Sequence, residues 1–198
     1  MTGGGYSFAA AFANMAAHAH GNWMTFQRLV EFCDRVSEAG FEYFIVGGWA
    51  IDICNGSQER DHDDVDIVVW KQDLLRFEDF LEKSCGCTDL QRYRLPDGSC
   101  KTVFHLPNGT YGEVMTITCS GDWMVPEGRL WRCKVPKRAM TPFAKAQISG
   151  KELPIGCKEL IVKMQGMWAY HASDTRIAEQ LKDQCDADLL DQIECESK

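Results

Sequence analysis

Val46-Gly47-Gly48-Trp49-Ala50-Ile51-Asp52 and, after a short polar loop, Arg60-Asp61-His62-Asp63-Asp64-Val65-Asp66-Ile67 decide how this chain reads. The first stretch completes an apolar run, Phe41–Val46, suited to a buried strand. Paired glycines then turn the chain into a short helix, Trp49–Cys54, closed by Asn55-Gly56. In the second stretch Val65, Ile67 and Val69 alternate with Asp64, Asp66 and Val68. That is strand periodicity, so Asp64 and Asp66 project to one face. Two adjacent carboxylates repel, and holding them together is costly without a cation. Magnesium is hard and oxygen-seeking, and one or two carboxylates plus substrate phosphates are its usual ligands. Gly47-Gly48 between strand and helix lets the backbone approach a ligand, and the free N–H groups of the following helix favour phosphate. Glu113 opens a further apolar strand, Glu113–Ile117, that would pair beside the first and supply a third carboxylate.

Outward from this centre the periodicities alternate. Phe26, Leu29, Val30, Cys33 and Val36 recur at helical spacing within Met24–Ala39, and Gly40 ends that helix. Asp73–Lys83 is a second long helix with Leu74, Phe77, Phe80 and Leu81 inward. Strands are expected at Leu90–Leu95, Lys101–Leu106 and Glu113–Thr118, separated by Pro96-Asp97-Gly98 and Pro107-Asn108-Gly109, with a short strand at Leu130–Val135. After Pro154 the pattern turns helical, over Lys158–His171 and Thr175–Ile193. The expectation is an α/β (α+β) fold: a mixed β-sheet with helices packed mainly on one face and a helical C-terminal segment. Residues 1–22, rich in Gly and Ala, read as a flexible N-terminal extension, 23–155 as the core, and 156–198 as the helical C-terminal segment.

A formal net charge of −8 argues against nonspecific binding to nucleic acid or anionic membrane. With 45% apolar and 11% aromatic residues, the 198-residue chain can bury a real core. The ten cysteines are spread through apolar segments, where a free thiol behaves as a small hydrophobe. No basic N-terminal segment leads into an apolar run, and no run approaches the ~20 residues of a membrane span. Reduced thiols in a cytoplasmic protein are therefore expected. Cys85-Gly86-Cys87 has one intervening residue, against the two to four usual at structural zinc.

The two opening stretches together resemble the nucleotidyltransferase superfamily of DNA polymerase β type. The Gly-Gly-Trp-Ala-Ile-Asp and Arg-x-His-x-Asp-x-Asp forms look like the aminoglycoside and lincosamide nucleotidyltransferases, of the aminoglycoside-2''-adenylyltransferase-like kind. Tyr111-Gly112-Glu113-Val114 stands where that family has its third-carboxylate strand, although the carboxylate there is usually aspartate. Lys151-Glu152-Leu153-Pro154, leading into Cys157-Lys158-Glu159, resembles the family's strand-to-helix passage, and Lys182-Asp183-Gln184-Cys185-Asp186 resembles its C-terminal helices, so the likeness spans roughly residues 25–195. Residues 120–148 match nothing in it.

The resemblance implies a metal-dependent enzyme that moves an NMP, AMP from ATP, to a hydroxyl of a small-molecule acceptor of aminoglycoside or lincosamide type, releasing pyrophosphate. Asp64 and Asp66 would bind one or two Mg2+ ions, and Glu113 would complete the metal site or act as general base. Gly47 and Gly48 would cradle the β- and γ-phosphates, with Arg60 and Lys182 offsetting phosphate charge. His62 would orient its loop. A homodimer, a protein acceptor as in protein-nucleotidylating or antitoxin-like relatives, and a nucleotide-binding module without turnover stay open as alternatives.

Overall fold

The computed structural model describes residues 23–94, 100–126, 135–137, 144–157 and 160–161. Helix α1, Phe26–Glu38, starts at Thr25, whose hydroxyl oxygen accepts from the Arg28 N–H at 3.3 Å. It buries Leu29, Phe32, Cys33 and Val36, the stripe set by its sequence spacing. Strand β1, Tyr43–Val46, leads directly into α2, Gly47–Asn55. The two glycines thus form the first helical turn, where a separate turn before Trp49 was expected. Strand β2, Asp66–Trp70, runs through a short 3-10 turn into α3, Leu74–Lys83.

The middle is β-rich as expected. Its strands are β3 (Thr88–Arg94), β4 (Cys100–His105), β5 (Tyr111–Ser120) and β6 (Trp123–Pro126). Three more follow: β7 (Val135–Pro136), β8 (Ala144–Ile148) and β9 (Lys151–Ile155). Strands β6 and β8 had no counterpart in the sequence reading; β9 coincides with the strand-to-helix likeness at Lys151–Pro154. In β9 that proline pairs with Lys145, while Leu153 and Ile155 face inward. The expected strand at 130–135 lies outside the described residues except for Val135. Of the C-terminal helices only Leu160 and Ile161 are described, and both are helical. The N-terminal extension also lies outside them.

Among the described residues the strands form one mixed sheet in the order β3-β4-β5-β2-β1-β9-β8, with β6 on β5 and β7 on β6. The β1–β9 and β2–β5 pairs are parallel, the others antiparallel. Register then assigns every side chain a face. Tyr43, Ile45, Ile67, Val69, Phe104 and Val114 pack with the buried stripes of α1, α2 and α3 into the main core. Phe44, Val46, Val68, Met115 and Ile117 point to the other face, where Met124, Val135 and Leu160 join them in a smaller cluster. Helices α1, α2 and α3 therefore lie on one face of a mixed sheet, the α/β architecture expected. Asp66 and Glu113, by alternation, belong to the face away from them. Among the described residues no helix is long and apolar enough to cross a membrane.

Candidate active site

Three strands meet at one level beside a helix start. Val46, the last residue of β1, pairs with Asp66, the first of β2, and Asp66 pairs with Glu113 on β5. The Glu113 N–H donates to the Val65 carbonyl at 2.9 Å, locking that register just inside the Asp-Val-Asp step. Because α2 begins at the residue after Val46, its N-terminus abuts the carboxylate row. Gly47 takes φ +67°, in the left-handed region that favours glycine. A Cβ on Gly47 would run into Asp66 Oδ2 and stand 3.1 Å from its Cγ. A Cβ on Gly48 would strike Arg60 Nη2 and lie 2.8 Å from His62 Cε1. Gly47 is thus favoured both by its backbone angle and by the close approach of the Asp66 carboxylate, and Gly48 by the buried His62 ring, the Arg60 guanidinium being the end of a flexible side chain. Val46 provides no side-chain cap, so the first N–H groups of α2 lack the partner that Ser, Thr, Asp or Asn would offer.

The loop carrying Arg60 is pinned from below. His62 Nε2 lies 2.7 Å from Asp52 Oδ2, with both side chains 1% exposed, and the same oxygen accepts the Glu59 N–H at 3.2 Å. The His62 ring packs on Trp49 at 4.2 Å between centroids, and its carbonyl accepts the Met24 N–H at 2.7 Å. Asp52 and Trp49 belong to α2, so this contact fixes the Arg60–Asp66 segment against the helix whose N-terminus it faces. His62 and Asp52 are thereby consumed in mutual contact, and Arg60 Nη1 donates to the Asp61 carbonyl at 3.1 Å.

On the other side of Asp66, Glu113 is almost wholly buried, and its Oε1 accepts from Lys101 Nζ at 2.5 Å. Lys101 pairs with Met115 and Val103 with Glu113, so lysine and glutamate are diagonal neighbours on one face of β4 and β5. Tyr111, two residues before Glu113, shares that face. Burial pushes the Tyr111 phenol well above the usual tyrosine range, and the charges of Asp64, Asp63, Glu113 and Asp66 push it further. It therefore stays protonated and keeps a hydroxyl hydrogen to donate beside the carboxylates.

The structure brings Gly47, Gly48, Arg60, Asp66 and Glu113 together, with Asp64 one residue before the Val65–Glu113 bond. Lys182 lies outside the described residues. Sequence reading missed Lys101 and gave Tyr111 no role. Their signals were a lysine entering an apolar strand, Lys101-Thr102-Val103-Phe104, and the two-residue step from Tyr111 to Glu113. For a metal, Asp64 and Asp66 could supply oxygen donors, and the missing Cβ of Gly47 is the space the Asp66 carboxylate occupies. The third carboxylate is engaged by Lys101, and the described residues hold no group of three or more His, Cys, Asp or Glu arranged to hold an ion. Two aspartates plus phosphate oxygens remain a donor set that magnesium accepts.

A helix start and a carboxylate row meet at one end of the sheet, and the family match gives the class of protein, a nucleotidyltransferase. The family model for aminoglycoside-2''-adenylyltransferase matches residues 28–155, and the chain belongs to that family. Two solved structures share the fold. One is the lincosamide antibiotic adenylyltransferase LnuA with lincomycin bound, at 20% identity and TM-score 0.61, covering 87% of this chain and 99% of that one. The other is ANT(2'')-Ia in complex with adenylyl-2''-tobramycin, at 18% identity and TM-score 0.62, covering 86% and 94%. Comparison with curated proteins returns no match.

Proposed function

We propose that this enzyme transfers AMP from ATP to a hydroxyl of a small-molecule acceptor of the aminoglycoside or lincosamide type. The observation that carries the reading is the in-register placement of Asp66 beside Glu113, at the start of a helix opened by two glycines. The solved relatives of the same fold, with lincomycin or an adenylylated tobramycin, support the acceptor class.

The chain's own residues divide the work. The uncapped N–H groups of Gly47 and Gly48 and the Arg60 guanidinium meet the anionic triphosphate, where a helix start and a cation both favour phosphate. Asp64 and Asp66 hold Mg2+, which when bound offsets charge on the phosphates. Glu113, with Oε1 turned to Lys101, presents Oε2 to the acceptor hydroxyl and takes its proton. The acceptor oxygen forms its bond to the α-phosphorus as the bond from that phosphorus to the bridging oxygen breaks. Pyrophosphate leaves with the electron pair. Tyr111, held protonated, donates to the acceptor and orients it. Lys182 completes the triphosphate contacts from the C-terminal segment.

The test incubates the protein with each NTP, magnesium and a panel of aminoglycosides and lincosamides, and measures pyrophosphate. Asp64→Asn and Asp66→Asn each lower release by at least ~100-fold, in line with losing one preorganised charge from such a site, while circular dichroism stays native. Unchanged release in either variant refutes the assignment. Intact-mass measurement of co-incubated proteins checks for a protein acceptor.

A further inference from the structure

Lys101 is a cation in a place that the expected three-carboxylate metal site does not provide for. Its ammonium lies 2.5 Å from Glu113 Oε1, with side chains 10% and 8% exposed. Glu113 is in register with Asp66, so the ammonium comes from β4, two strands along from Asp66 with β5 between them, on the same face of the sheet. We propose that Lys101 takes the place of a second metal ion: it holds Glu113 out of metal coordination and leaves Asp64 and Asp66 to bind a single divalent ion. The proposal rests on the nucleotidyltransferase reading above and deepens it.

Charge supports this division. Asp64, Asp66 and Glu113 bring like charges near one another, and Lys101 offsets that of Glu113. Geometry agrees, because a carboxylate oxygen already bonded to a buried ammonium is a poor metal ligand. Withdrawing the lysine would leave Glu113 buried without its partner, a state that a second ion could relieve. Lys101 is therefore a positioning residue, acting through Glu113.

The test counts ions. Mn2+ is titrated into the full chain with an ATP analogue carrying a methylene bridge between the α- and β-phosphorus, and unbound Mn2+ is read by electron paramagnetic resonance. Wild type and Lys101→Arg are expected to bind one ion per chain, and Lys101→Met two. Lys101→Met combined with Glu113→Gln is expected to return to one, because the released carboxylate is gone. Two ions in a wild type that releases pyrophosphate overturn this inference alone, as does a folded Lys101→Met that binds one. Should Lys101→Met fail to fold, the wild-type count decides. A wild type that binds neither analogue nor ion overturns the nucleotidyltransferase reading, and the inference with it.

Discussion

Gly47 concentrates two demands that most positions meet separately. Its φ of +67° disfavours any side chain, and its missing Cβ is the space into which the Asp66 carboxylate reaches. Gly40 has a similar φ of +73° but nothing within 4 Å of the position a Cβ would take. The pair separates backbone strain from site damage. Gly40→Ala is expected to cost about 1–2 kcal/mol of stability, the usual cost of a left-handed alanine, with kcat unchanged. Gly47→Ala is expected to cost at least as much and also to lower kcat at least ~10-fold, because the methyl displaces a reacting-site carboxylate. Denaturant titration and pyrophosphate release read the two effects. Equal activity in both variants would show that Asp66 does not depend on the glycine.

Among the elements, the hairpin that carries Lys101 is fastened to the helical layer by one carboxylate. Glu78 of α3 accepts from Arg92 Nε at 2.7 Å and from the Thr102 hydroxyl at 2.7 Å, and also pairs with Arg92 Nη2. It thereby ties α3 to both β3 and β4. Burial works to raise the Glu78 carboxyl, but hydrogen bonds from Arg92 and Thr102 and the charge of Arg92 outweigh it and hold it below the usual carboxylate range. A carboxyl depressed in the folded state contributes stability above its unfolded pKa and loses it as pH falls through the folded value. Glu78→Gln is therefore expected to destabilise at pH 7 by about 2 kcal/mol, as for a hydrogen bond to a charged group. The gap to wild type narrows as pH falls below the ordinary carboxylate range. Thermal melts from pH 7 to pH 3 check this, and a constant gap would mean that the charge on Glu78 contributes nothing. In the adjoining β4–β5 pair, Gly112 sits opposite Phe104, whose ring occupies the space a Cβ would take. That close approach brings β5, and Glu113 with it, against β4.

At the scale of the whole molecule, the proposed reaction requires an acidic chain to meet an anionic triphosphate. In that reading the mismatch is resolved locally, by the start of α2 and Arg60, gathered beside Gly47 and Gly48. The described cysteines Cys33, Cys54, Cys85, Cys87, Cys100, Cys119 and Cys157 are free thiols, as the sequence suggested, so the core holds without cross-links among them. Burial pushes the Cys33 and Cys87 thiols up to about 12. Since the thiolate is the reactive form, both are expected to react with iodoacetamide at pH 8 at least ~100-fold more slowly in the native protein than in urea. Mass spectrometry of labelled peptides reads this directly. Rapid native labelling of Cys33 would mean that α1 opens locally, since that thiol faces the main core.

The strand alternation from Asp66 to Val69, the apolar stripes of α1 and α3, and the glycine pair before Trp49 were all legible in the residue order. Each is a local pattern whose period is imposed by its own backbone. Strand β8 was not, and β9 only as a family likeness at Lys151–Pro154, because Ala144–Ile148 and Lys151–Ile155 are short and mixed in polarity and Pro154 interrupts the second. Their identity comes from pairing with each other and, at Ile155, with Ile45. The same limit applied at the site. Sequence order put Asp66 in an alternating strand, since alternation needs only one chain segment, whereas Asp64, expected on the same strand, lies two residues before β2 begins. Only the tertiary structure set Glu113 level with Asp66 and Lys101 against Glu113, because register between strands is fixed by long-range packing.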